Sequence, residues 1–98
     1  MRVQKIKLDD YDIRVVINGL AQYRKAAPDE DLDVIEPMLL RLIRVLKELK
    51  PGKHTKFPLS PEEKRLIRFY LNEWRNKLIQ ENNLGGMDVV SNVMVKFT

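Results

Sequence analysis

The chain has no cysteine, a single histidine and a single tryptophan among its 98 residues. Without cysteine there is no disulfide and no thiolate ligand for a metal. The lone histidine, His54, cannot supply the paired imidazoles of a transition-metal site, and no second histidine or cysteine is present to activate a nucleophile. Catalysis by such a side chain requires a partnered base, so His54, in its Gly-Lys-His-Thr-Lys setting, reads as an ordinary surface residue. No apolar run approaches the ~20 residues that a membrane-spanning helix requires. The opening MRVQKIKLDD carries no apolar stretch of the kind a signal peptide uses. These absences predict a cytoplasmic protein that is not an enzyme, with no cofactor, no metal and no membrane among its partners.

Two short motifs fail on inspection. Asp29, Asp31 and Asp33 open like a calcium loop, but Val34 and Leu40 occupy the places where that loop needs glycine and glutamate. Acidic residues ahead of an apolar helix are explained by the positive end of the helix dipole. Gly52-Lys53 and Gly85-Gly86 lack the full spacing of a phosphate-binding loop and read as turns.

What is present is an apolar fraction of 44% with 33% charged residues, the balance of a globular chain. Its length suits a single domain, residues 1–98, with one modest core. The net charge of +4 is unevenly spread. Residues 1–27 carry six Lys/Arg against three Asp, residues 28–50 four against six, and residues 51–83 seven against four. Two basic segments therefore flank an acidic one.

The basic segments also echo one another. Residues 5–27 align without gaps over residues 56–78, a register of 51, with five identities: Lys5/Lys56, Leu8/Leu59, Arg14/Arg65, Leu20/Leu71 and Arg24/Arg75. Repetition at a fixed interval points to two related units packed about a pseudo-two-fold axis. Each opens on a helix start. Ser60-Pro61-Glu62-Glu63 puts serine at the N-cap, proline at N1 and glutamate at N3, a capping box; Asp9 and Asp12 do the same in the first copy. Helices are predicted over about Asp10–Ala26 and Pro61–Gln80. Val16, Leu20, Tyr23 and Ala27 share one face of the first, and Ile67, Leu71, Trp74 and Leu78 the matching face of the second.

Between the copies, Leu32, Ile35, Leu39, Leu42, Leu46 and Leu49 follow helical spacing. Val34, Met38, Ile43 and Val45 widen the stripe beyond what two neighbouring helices readily cover. Pro37 removes a backbone donor, which predicts a start near Asp33 with anything earlier a separate or kinked turn. Residues 2–8 and 53–59 read either as short pairing strands or as extended lead-ins. The tail MDVVSNVMVKFT fits both a helix and a strand, and its valines tip the balance toward a packed terminal strand or arm.

The fold class predicted is all-α: a compact three-helix core with an internal pseudo-repeat (5–27 and 56–78), and with short β pairing of the terminal segments as an option. The leading functional expectation is a small interaction module that binds a protein partner or itself as a homodimer. The over-wide apolar stripe of Leu32–Leu49, the absence of catalytic sets and Phe69 carry it; Phe69 projects among Arg65, Asn72 and Asn76 where a core helix should be polar, and its first-copy counterpart is Asn18. Aromatic and arginine side chains together are enriched at interface hot spots. Leu40 is a second apolar residue at a polar edge. The alternative expectation is sequence-nonspecific nucleic-acid binding through a basic helix face, with Lys64, Arg68, Arg75, Arg24 and Arg44 tracking phosphates.

Overall fold

Asp9 and Ser60 are the residues at which extended chain turns into helix. Each accepts a hydrogen bond from the backbone N–H three residues on, Asp12 N at 2.8 Å and Glu63 N at 3.1 Å. Each backbone N–H donates in return to the side chain of that third residue. Two orphan donors are thus satisfied reciprocally at both starts. Around these turns the computed structural model, which describes residues 2–98, places six regular elements. They are β1 (Gln4–Asp9), α1 (Asp10–Tyr23), α2 (Asp29–Glu48), β2 (His54–Leu59), α3 (Pro61–Gln80) and α4 (Leu84–Met94), followed by a 3-10 turn at Val95–Phe97.

The lead-ins do pair. β1 and β2 form a two-stranded antiparallel sheet with Ile6 opposite Phe57 and Leu8 opposite Thr55. Phe57 and Leu59 are buried while Lys56 and Pro58 face out, the two-residue period of a half-covered strand. So small a sheet has no stability of its own and depends on the helices it packs against.

α1 ends a turn earlier than expected. Ala27 precedes Pro28, which disfavours helical backbone at the residue before it, and the chain closes with Ala27 N donating to Tyr23 O at 2.9 Å. α2 begins earlier than expected and runs through Pro37 without interruption. Pro37 and Asp33, whose carbonyl loses its partner, both lie on the water-facing side, so the lost bond falls where solvent can replace it. After α2, Pro51 and Gly52 (φ 79°) make a turn closed by Lys53 N to Lys50 O at 3.1 Å. Proline then a positive-φ glycine is the type II pattern, and it delivers the chain into β2.

The three-helix expectation is enlarged by a fourth helix, and the preference for a terminal strand is overturned. Asn82 adopts φ 58°, and Asn82 N and Asn83 N donate to Ile79 O and Leu78 O at 3.0 and 2.8 Å. That pair of bonds is a Schellman ending for α3. The Asn83 side chain then accepts from Gly86 N at 2.9 Å and starts α4. Val90, Val93 and Phe97 turn inward at helical spacing into the common core. That core also takes Leu8, Ile13, Val16 and Leu20 from the first half, Ile35, Met38 and Leu42 from α2, and Leu66, Ile67 and Leu71 from α3. The radius of gyration, 13.0 Å, is that of a compact chain of this length. No helix among the described residues is long and apolar enough to cross a membrane.

Candidate functional site

The N3 acids of both capping boxes draw a cation from elsewhere in the chain. Lys96 pairs with the buried Asp12, tying the end of the chain to the start of α1. Arg41 pairs with Glu63, donates to the carbonyl of Pro58, and lies 4.9 Å from the ring centroid of Phe57. Arg41 is therefore a tie between α2, β2 and α3, not a free cation on the outer side of α2.

The basic residues singled out from the sequence are dispersed. Arg24 holds Glu36 through two bonds of 3.0 and 3.1 Å, fixing α1 to α2. Arg75 donates to Ser91 Oγ at 2.7 Å and joins α3 to α4. Arg44 lies on α2. Only Lys64 and Arg68 share a location, a cleft lined also by Arg2, Gln4, Leu59 and Pro61. Within it Lys64 donates to Gln4 Oε1 at 2.6 Å. Arg2 is the cation here that sequence spacing missed, because only the β1–β2 pairing brings it to α3.

The apolar candidates fall on two elements. Phe69, on α3, is 49% exposed and meets the ring of Tyr70 edge-on, with centroids 4.9 Å apart at 90°. Arg65 is exposed one turn earlier on the same helix. Tyr70 is buried, and its hydroxyl donates to Asp31 Oδ2 at 2.7 Å, which seats α3 against the start of α2. Burial, reinforced by that bond, pushes the Tyr70 phenol up to about 12.

Leu40, on α2, is 65% exposed, more than any other large apolar residue of that helix. It lines a shallow groove with Ile43, Arg44 and Lys47. Lys47 completes a surface that the sequence marked at Leu40 and Arg44 and, as part of the over-wide stripe, at Ile43. Its signal was present in the spacing: Leu40, Ile43, Arg44 and Lys47 recur at three and four residues, opposite the buried Ile35, Met38 and Leu42. Among the described residues, no three His, Asp or Glu side chains converge as a metal-ligand set. No family model, curated protein or solved structure matches the chain.

Proposed function

We propose that this protein is a non-enzymatic interaction module that binds a protein partner or a second copy of itself. The observation that carries the reading is the exposure of Leu40 and Ile43 on a helix whose other side is core, with Phe69 exposed on the neighbouring helix. These side chains are partly exposed, so a partner that covered them would recover only a fraction of the ~1.5–3 kcal/mol that full burial of such a side chain provides. Arg65 beside Phe69 and Arg44 beside Leu40 give both spots the apolar-plus-guanidinium chemistry of a hot spot.

A photo-cross-linking amino acid placed singly at Leu40, Ile43 or Phe69 in living cells tests the reading. A discrete adduct is expected at one or more of these positions and none at Gln22, an exposed position of α1. Equal, diffuse labelling at all four would discard the interaction module.

A second reading, nonspecific nucleic-acid binding, is favoured by the cleft in which Arg2, Lys64 and Arg68 meet. Three phosphate contacts there would give a log–log salt slope of about −2 to −3. Arg24 and Arg75, held by Glu36 and Ser91, contribute less to it than their sequence pattern suggested.

The module is further read as two related strand–helix units, residues 5–27 and 56–78. The strand register supports this. A two-fold axis between the units requires a residue on the axis to face its own equivalent, and Ile6 faces Phe57, 51 positions on. It also requires mirrored neighbours: Lys5 faces Pro58 while Lys7, the equivalent of Pro58, faces Lys56, the equivalent of Lys5.

A further inference from the structure

We propose that the exposed face of α2 is the contact surface of an antiparallel homodimer, with Leu40 of the two copies meeting at the two-fold axis. The proposal rests on the interaction-module reading and names the partner as a second copy of this chain.

Along that face the chemistry runs from acidic through apolar to basic. Glu30, Asp33 and Glu36 stand in its first half, and Arg44 and Lys47 in its last turns, with Lys50 just beyond. Pro37, Leu40 and Ile43 lie between. All nine residues are exposed.

Reversed and laid on itself about Leu40, the face matches at every step from Asp33 to Lys47. Asp33 meets Lys47 of the other copy and Glu36 meets Arg44. Pro37 meets Ile43, and Leu40 meets Leu40. Every charged pair is opposite in sign and every central pair is apolar. Laid parallel, the same face sets Asp33 on Asp33 and Lys47 on Lys47. An isologous contact demands this reciprocity, each residue of a pair meeting the other twice. The exposed side of α3 lacks it: mirrored about Phe69, Arg65 meets Glu73 but Glu62 meets only Asn76.

A shallow crossing near +20° keeps the flanking charges within reach, whereas a crossing near −50° engages little beyond Leu40. The Asp33–Lys47 span is about 21 Å of helix at 1.5 Å per residue. A single helix pair of this length falls at the small end of specific interfaces, below ~1,200 Å² in total, so the dimer is a weak one. Arg24 already neutralises Glu36 within the chain. Among the described residues Asp33 and Lys47 form no internal ion pair, so that pair gives the most leverage on orientation.

Sedimentation equilibrium on the whole protein, from about 10 μM to about 1 mM, covers the affinities such an interface provides. A reversible dimer is expected. Leu40→Glu should raise its dissociation constant about tenfold or more, by placing two carboxylates at the axis. Asp33→Lys and Lys47→Asp should each weaken self-association by roughly tenfold, since each sets two like-charge contacts. Mixed together, those two variants should associate with each other about as tightly as the natural chain does with itself, because both contacts again become opposite in sign. Circular dichroism confirms that each variant is folded.

A chain that stays monomeric to about 1 mM overturns the proposal, as does a dimer indifferent to Leu40→Glu, or a mixture no tighter than its components. The cross-linker at Leu40 separates the two readings. A self-adduct supports the dimer, and an adduct only with another polypeptide removes the dimer while leaving the interaction module standing.

Discussion

Gly19 shows how much one missing methyl group decides here. A Cβ at this position would fall 2.6 Å from Leu71 Cδ2 and 3.3 Å from Trp74 Cε3, so α1 and α3 approach as closely as glycine permits. Alanine in mid-helix gains up to ~1 kcal/mol over glycine, while overpacking a filled core costs ~1–3 kcal/mol. The second effect wins because Leu71 is fully buried and cannot swing aside. Gly19→Ala should therefore lower stability by about 1 kcal/mol in urea unfolding followed by circular dichroism. Gly85 supplies the contrast, since a Cβ there meets nothing within 4 Å. Gly85→Ala should raise stability by a few tenths to about 1 kcal/mol. If both substitutions stabilise, the close approach of α1 and α3 is not what fixes Gly19.

At the scale of elements, α4 is the piece that closes the fold. Phe97, just beyond it, is fully buried and is the largest such side chain in the core. Lys96 beside it holds Asp12 at the start of α1. Phe97→Ala should cost about 3–5 kcal/mol, a fifth or more of the ~5–15 kcal/mol available to a domain of this size. A shift in urea midpoint equivalent to less than about 1 kcal/mol would mean that α4 docks loosely and the other elements stand without it. This element was also the least legible in the sequence. Capping boxes and the limits of α3 can be read locally, because Leu8-Asp9 and Leu59-Ser60-Pro61 carry their own signals, whereas residues 2–8 and 53–59 fit pairing strands and extended lead-ins alike. The tail fitted two periods equally well, and the Asn82-Asn83 hinge that resolves it was not read as a helix stop and restart. Pro37 misled for the opposite reason: a local rule predicted a break, but the missing bond lies on the wet side of α2. The exposed surfaces were half legible. Phe69 stood out by its polar neighbours and Ile43 by the excess width of the stripe, whereas Lys47 became part of a surface only once the buried side of α2 was known.

For the molecule as a whole, pH acts at two separate seams. At the junction of β1 and α1, the bond from Asp12 N holds the Asp9 carboxyl below its usual value of 3.8, against a smaller opposing effect of burial. A depressed acid contributes stability that is present above its unfolded value and is lost as pH falls through the lower, folded one. At the seam of α2 and α3 the sign is reversed. Burial and then the bond to Asp31 raise Tyr70 from 10.0 to about 12. The neutral phenol is the form that the folded state favours, so its contribution is complete below pH 10.0 and drains away as pH climbs toward about 12. Tyr70→Phe isolates this seam. Near neutral pH the variant should be less stable by about 0.5–1.5 kcal/mol, the net worth of one hydrogen bond whose acceptor is left half exposed. Above pH 10.0 the gap between the two proteins should narrow, because only the natural chain still has a proton to lose at that position. Urea midpoints at paired pH values on either side of 10.0, with phenolate absorbance followed in parallel, measure both trends. A gap that stays constant through that range would mean that Tyr70 ionises no later in the folded chain than in the unfolded one, and that its bond to Asp31 does not hold α2 against α3.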